Sequence, residues 1–271
     1  MSQDKKHYTL YCHVGLGKTA STYLQYKFFP KLQDICYIQR TKYNRFEQII
    51  ARTDCKKYLV SREFDRQFER EINKLAAYDP TAHIIIVLRR NDSWIASQYR
   101  RYVKNGGYQP FEKFVDLDND QGLWKLKDIY FYPKLQMLQE LFETTPLVLF
   151  HSELKDNTYG FFDKLARYMD VHYKREHIDV HPAHKSYTDK QLKILRKVSA
   201  KLFPGERKGS KNKVVHYIRF RSRWLLCHLI LYAASFMPER WAGSEPLIPP
   251  EQLDRVGKHF AEDWERCRTF A

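Results

Sequence analysis

Short apolar runs alternate with longer amphipathic stretches along the first two thirds of the chain. Their β-branched and aromatic content predicts strands at residues 8–14, 57–61, 83–88 and 146–150. The run from Ile84 to Leu88 lacks polar alternation, which indicates a central strand buried on both faces. Apolar positions at helical spacing predict helices at residues 21–32, 93–103, 126–142, 159–169 and 188–202. Strands that alternate with helices predict an α/β fold with a mostly parallel central sheet flanked by helices.

The pattern changes at residues 204–213, a stretch rich in glycine and lysine. The chain beyond it reads as predominantly helical. A length of 271 residues suits one hydrophobic core with an appended element. We therefore predict a single domain, 1–271, with an α/β core at 1–205 and a helical C-terminal extension at 206–271.

The composition adds a strong positive charge. The chain has 47 Lys and Arg against 32 Asp and Glu, a formal net charge of +15. This excess predicts an anionic partner, and charge alone does not choose among a nucleotide, an acidic glycan, a membrane surface and nucleic acid. The basic residues are dispersed and form no known motif with stacking aromatics, so we do not expect nucleic acid.

The cysteines and the first residues bear on the compartment. The five cysteines are scattered and form no CxxC pair, so we expect neither a disulfide framework nor a zinc site. No apolar stretch typical of a signal peptide precedes the first strand. We expect a cytoplasmic protein.

One segment of the extension is both basic and apolar. Its apolar run, 224–236, is too short to cross a bilayer as a straight helix. Three placements of residues 214–241 remain open: peripheral contact with the inner face of a membrane, a cover over an acceptor cleft, or packing on the main sheet.

The first strand leads into the sequence Val-Gly-Leu-Gly-Lys-Thr-Ala-Ser-Thr, residues 14–22. Glycines let a backbone curl so that successive amides and a helix start point at a phosphate, while Lys18 supplies charge. The hydroxyls of Thr19, Ser21 and Thr22 add donors. The order of strand, glycine turn and helix predicts a phosphate site.

A P-loop nucleoside triphosphatase or kinase is the first alternative for such a site. Its motif is G-x-x-x-x-G-K-[ST], and Cys12 stands where the first glycine belongs. Such enzymes also hold magnesium through an Asp at a neighbouring strand end, whereas the strand at 83–88 ends in Arg89 and Arg90. The kinase therefore stays the second hypothesis.

Residues 13–25 resemble the 5′-phosphosulfate loop of the PAPS-dependent sulfotransferases, and in particular the bacterial and carbohydrate-directed members. The family core is Lys-Thr-Gly-Thr-Thr, from which this chain departs at Ala20 and Ser21. The resemblance implies a P-loop-like three-layer fold. It also implies that Gly17, Lys18, Thr19, Ala20, Ser21 and Thr22 hold the phosphosulfate.

A second stretch, residues 87–99, resembles the 3′-phosphate motif of the same family. That motif has an Arg at the strand end and a Ser eight residues later, here Arg89 and Ser97. A guanidinium and a hydroxyl brought to one side suit a terminal phosphate. The resemblance implies that PAPS is the sulfuryl donor, that PAP is the product and that no metal takes part.

The family also places a base at the end of the strand between these motifs, and Glu63 has that position here. Lys18 would stabilise the leaving oxygen. The Glu base, the positive charge and the 19 tyrosines are compatible with a carbohydrate acceptor.

Three histidines and one basic tripeptide are further candidates for a role in this chemistry. His151, His181 and His184 read as ordinary loop or strand-end residues, and none has the spacing of a zinc motif. Residues 207–209, Arg-Lys-Gly, resemble a basic contact to the 3′-phosphate or form a solvated loop.

Overall fold

A parallel β-sheet forms the centre of the first part of the molecule. The computed structural model describes residues 7–180, 186–205 and 212–271. In these residues the strands are β1 Thr9–His13, β2 Cys36–Ile38, β3 Lys57–Ser61, β4 His83–Leu88 and β5 Leu147–Phe150. Their order in the sheet is β2-β3-β1-β4-β5, and every pair is parallel. The predicted α/β fold is confirmed.

Helices connect the strands and follow the last of them. They are α1 Ser21–Tyr23, α2 Phe46–Ile50, α3 Phe68–Tyr78, α4 Asn91–Lys104, α5 Phe111–Phe114, α6 Leu126–Ile129, α7 Tyr132–Leu141, α8 His151–Asp156, α9 Thr158–Met169, α10 Asp189–Leu202, α11 Lys213–Phe236, α12 Pro250–His259 and α13 Ala261–Phe270. A π-helical segment lies at Leu24–Phe28, and 3-10 segments lie at Phe29–Lys31, Arg40–Arg45, Asp65–Gln67, Arg175–His177 and Glu239–Trp241. The predicted helix at 21–32 is thus α1 followed by π and 3-10 turns.

The chain divides into two compact units. The first takes the described residues of Met1–Arg90, Tyr130–Ala183 and Ala261–Ala271, and contains the whole sheet. The second takes those of Asn91–Ile129 and His184–Phe260, and is helical. The predicted boundary at residue 205 stays a prediction.

One hydrophobic core cluster of the first unit lies on one face of the sheet, and strand residues on the opposite face, such as Cys12, Val60 and Ile84, are buried as well. Alternate strand residues point into the cluster because successive side chains of a strand face opposite sides. These residues are Tyr11, Leu59, Ile85, Val87 and Leu149. Against them packs α9, where Phe162 stacks on Phe28 with ring centroids 4.3 Å apart. This packing fixes the segment after the glycine turn against the sheet.

The predicted helix at 126–142 is two helices, α6 and α7. The break lies at Tyr130 and Phe131, where the Asp263 carboxylate accepts hydrogen bonds from the backbone N–H groups of Phe131 and Tyr132 at 2.9 Å each. These are amides that a helix start leaves without an intrahelical partner. A carboxylate far along the chain therefore begins α7.

Cys36 and Cys55 form a disulfide, with Cα atoms 6.3 Å apart. The expectation that no disulfide forms is wrong, because the pairing depends on the sheet. Cys36 is in register with Tyr58 across β2 and β3, which brings Cys55 close to it. Disulfides are typical of oxidising compartments, which speaks against the predicted cytoplasmic location. That location stays a prediction.

Candidate functional site

The glycine turn lies between the end of β1 and α1. At Gly15 an added Cβ would lie 2.7 Å from Ser21 Oγ and 2.9 Å from His13 Cε1, so the close approach requires glycine. The start of the turn is hydrogen-bonded to the neighbouring strand β4, since the Val14 N–H donates to the Ile85 carbonyl at 2.9 Å. The loop is therefore held at the carboxyl end of the central strands.

Two residues of the turn have left-handed backbone conformations without being glycine. They are Lys18, with φ 72°, and Ala20, with φ 68°. Left-handed residues in a loop turn neighbouring amide N–H groups toward one side, which makes an anion-binding concavity. Ala20 stands where the sulfotransferase loop has glycine, and it takes the conformation that glycine favours.

The hydroxyls of the loop divide into two kinds. Thr19 Oγ1 and Ser21 Oγ are buried and donate to the Leu16 carbonyl at 2.6 and 3.1 Å. A hydroxyl has one hydrogen, so these two brace the turn from within. Thr22 is exposed. It is the hydroxyl that this conformation presents to solvent.

The residues that follow β3, from Arg62 to Phe64, run along the loop backbone. The Arg62 N–H donates to the His13 carbonyl at 3.0 Å, and the Phe64 N–H donates to the Gly15 carbonyl at 3.1 Å. Glu63 lies between these two bonds and is half-buried. Its backbone position relative to the loop is therefore fixed on both sides.

A second carboxylate touches the loop directly. The Gly17 N–H donates to Asp65 Oδ1 at 2.7 Å. A carboxylate oxygen thus accepts from an amide that the glycine-turn motif predicts to bind a phosphate. An incoming phosphate that took this amide would displace Asp65.

Arg89 joins the loop from β4. Its Nη1 lies 3.4 Å from the Lys18 carbonyl, so two residues predicted from separate motifs come together. Leu88 is in register with Phe150 of β5, which places Arg89 near the start of α8. Burial, with the charges of Arg89 and Lys155, lowers the pKa of His151 to about 4.

His13, to which the sequence motifs assign no role, lies buried beneath the loop. Its Nδ1 lies 2.8 Å from Ser61 Oγ, and Gln25 Nε2 donates to the same oxygen at 3.0 Å. Burial lowers the pKa of His13 to about 4, so the ring is neutral. Among the described residues, its Nε2 has no hydrogen-bond partner. The only signal for it was its place at the strand end before the glycine turn.

The remaining predicted residues lie elsewhere or outside the described part of the chain. Ser97 is half-buried on α4, in the second unit, and its pairing with Arg89 stays a prediction. Residues 207–209, with His181 and His184, lie outside the described residues. Within the described ranges, no three His, Cys, Asp or Glu side chains group as a metal site would need.

Three adjacent strands thus deliver charged groups to one edge of the sheet. We call residues 13–22, residues 61–65 and Arg89 the loop edge. In open parallel sheets, ligands bind at the carboxyl ends of the strands. The loop edge combines loop amides and three cations, Lys18, Arg62 and Arg89, with two carboxylates, Glu63 and Asp65. The backbone of Glu63 is fixed against the loop, and Asp65 accepts from a loop amide. The loop edge can bind an anion and accept a proton beside it.

No family model matches the chain, and no curated protein matches it. Among solved structures, it resembles a sulfotransferase from Alicyclobacillus acidocaldarius with a TM-score of 0.52 at 11% identity, over 73% of this chain and 96% of that one. It aligns with mouse sulfotransferase SULT7A1 complexed with PAP at a TM-score of 0.46 and 12% identity, over 97% and 88% of the two chains. The likeness to the bacterial structure shows a shared fold.

Proposed function

We propose that this chain transfers the sulfuryl group of PAPS to an acceptor hydroxyl and releases PAP. The observation that carries the proposal is the meeting of two separate sequence motifs, where Arg89 Nη1 lies 3.4 Å from the Lys18 carbonyl. Each motif resembles a phosphate contact of the sulfotransferases. The fold shared with a bacterial sulfotransferase supports the same assignment.

In this proposal the loop holds the 5′-phosphosulfate. The amides of Gly17 to Thr22 and the Thr22 hydroxyl donate to its oxygens, while Thr19 and Ser21 keep the loop in shape through the Leu16 carbonyl. Arg89 and Ser97 hold the 3′-phosphate. Left-handed Lys18 and Ala20 support this role, because they orient loop amides for an anion.

The chemistry follows from the charges beside the loop. The acceptor oxygen attacks sulfur, a new sulfur–oxygen bond forms, and the bond from sulfur to the 5′-phosphate oxygen breaks with its electron pair left on that oxygen. The Lys18 ammonium stabilises this developing charge, which acts mainly in the transition state. The Glu63 carboxylate takes the proton of the acceptor hydroxyl.

We assign the acceptor to carbohydrates. A carboxylate base suits a sugar hydroxyl, and a formal net charge of +15 suits the acidic groups that many glycans carry. The chain also has 19 tyrosines, whose rings offer stacking faces for sugars. Release of PAP in the presence of a panel of glycans would test this assignment.

The donor site is tested by ligand-induced stabilisation. PAP should raise the melting temperature by about 5 °C at a hundred times its Kd, because a ligand bound to the folded state stabilises it. Arg89→Ala should remove the shift, while Arg90→Ala, which alters the exposed neighbouring arginine, should retain it. A shift with ATP and magnesium alone would favour the kinase instead.

The base is tested separately from the donor site. Glu63→Gln should retain the PAP-induced shift and lower the rate of transfer by about a hundredfold or more, because only proton removal is lost. Glu69→Gln, at an exposed position of α3, is the matched control and should transfer at the wild-type rate. A Glu63→Gln variant with full activity would assign the base to another residue.

A further inference from the structure

The long helix α11, Lys213–Phe236, has apolar residues on two opposite faces. One face is buried and carries Cys227, Leu231 and Ala234, which follow each other at helical spacing. Arg223 continues this face, where its Nη2 donates to the Gly106 carbonyl at 2.7 Å. This inner face accounts for how α11 packs within the second unit.

The opposite face is apolar and exposed. Along it lie Ile218, Leu225, Leu229, Tyr232 and Phe236, which we call the outer stripe. They follow each other at spacings of seven, four, three and four residues, so they share one side of the helix. Their exposed fractions run from 54% for Leu225 to 75% for Phe236. Apolar patches of this extent mark interaction surfaces in soluble proteins.

The charges around the outer stripe are of one sign. No aspartate or glutamate occurs between Glu206 and Glu239. Arg219 and Arg221 are exposed, and the Arg221 guanidinium lies 5.0 Å from the centre of the Trp224 ring. A partner that covers the stripe must therefore accept cations as well as apolar side chains.

We infer that α11 lies in the interface of an anionic lipid bilayer, with the outer stripe in the acyl boundary and Arg219 and Arg221 at the headgroups. A helix with an apolar face, basic residues and an aromatic ring beside them binds in this way. Among the described residues no helix is long and apolar enough to span a membrane, so α11 lies along the surface. A second copy of the chain fits less well, since paired stripes would bring arginines of both copies together.

Co-sedimentation with vesicles tests the inference without any enzyme assay. The full chain should sediment with phosphatidylcholine vesicles that contain about a quarter phosphatidylglycerol, and much less with phosphatidylcholine alone. The double variant Leu225→Glu with Leu229→Glu should lower the partition coefficient at least about tenfold, because it places charge in the acyl boundary. Arg219→Glu with Arg221→Glu should remove the preference for anionic vesicles.

Leu202→Glu is the matched control, since it adds a carboxylate at an exposed leucine of α10 outside the outer stripe. It should bind vesicles like the wild type, and thermal unfolding checks that each variant is folded. Equal binding by the Leu225 and Leu229 variant and the wild type would overturn the inference. So would a wild-type dimer in sedimentation velocity that this variant dissociates, together with no vesicle binding.

Discussion

The loop edge and the outer stripe of α11 present opposite kinds of surface. At the loop edge, every residue except Thr22 is buried or half-buried, and backbone hydrogen bonds from Arg62 and Phe64 fix the backbone on both sides of Glu63. On α11, large apolar side chains are exposed and basic residues lie beside them. The loop edge suits a ligand that is recognised through individual hydrogen bonds. The outer stripe suits a fluid, negatively charged surface such as the proposed lipid bilayer.

The two regions differ in how far their shape depends on buried polar groups. The loop keeps its shape through buried groups such as His13 and Ser61, whose side chains lie 2.8 Å apart. Loss of one such group should disturb the whole loop, because buried polar networks act together. The outer stripe has no such network to lose, so its substitutions should change binding and leave folding intact.

The largest effect expected from this contrast is a pH dependence of stability that arises at His13. Burial lowers the pKa of His13 in the folded state to about 4, below the ordinary value of about 6.5. Between these values the unfolded chain binds more protons, so stability falls as the pH falls from about 6.5 toward 4. The shift corresponds to about 3 kcal/mol.

His13→Gln should flatten the dependence of the unfolding free energy on pH between 7 and 5, measured by denaturant titration at each pH. Burial also lowers the pKa of His83 and His151, so part of the slope remains. His216→Gln, which removes an exposed imidazole from α11, serves as the control variant. An unchanged slope in His13→Gln would show that His13 is not buried as a neutral ring.

Much of the sheet was predictable from the sequence. Apolar runs between turn residues gave β1, β3, β4 and β5 to within about one residue, because these strands are buried. The three-residue strand β2 was missed, since so short a run has no periodicity. The break between α6 and α7 was missed because it depends on Asp263, far along the chain.

The candidate site was predictable only where local spacing carried the signal. The glycine turn pointed to Lys18, the resemblance of two short stretches to the sulfotransferases pointed to Glu63 and Arg89, and the fold brings all three to one edge of the sheet. Asp65 contacts Gly17 across 48 positions of sequence, and no local pattern predicts such a contact. The disulfide between Cys36 and Cys55 was missed for the same reason, because it depends on strand register.

Asp65 offers a smaller test of how the loop edge binds anions. Its Oδ1 accepts from the Gly17 N–H at 2.7 Å, so it competes with a phosphate for this amide. Asp65→Asn retains an acceptor oxygen and removes the charge. It should tighten PAP binding about fivefold, or about 1 kcal/mol, as measured by calorimetry.

Asp54→Asn removes the same charge from an exposed position of the first unit and should change PAP affinity little. Weaker binding by Asp65→Asn would mean that the carboxylate holds the loop in its binding shape. The shape of the loop would then depend on Asp65 as it depends on the buried groups His13 and Ser61.

The smallest expected effect is at Ala20, with φ 68° and ψ 11°. A left-handed conformation costs a residue other than glycine about 1 kcal/mol. Glycine avoids this cost, but it makes the unfolded chain more flexible, which offsets part of the gain in stability. Ala20→Gly should therefore stabilise the protein by about 0.5 kcal/mol, whereas Ala76→Gly within α3 should destabilise it by about 1 kcal/mol. The opposite signs separate loop strain from helix propensity. Destabilisation by both would mean that Ala20 is not left-handed in solution, and the anion-binding shape of the loop would then form only with its ligand.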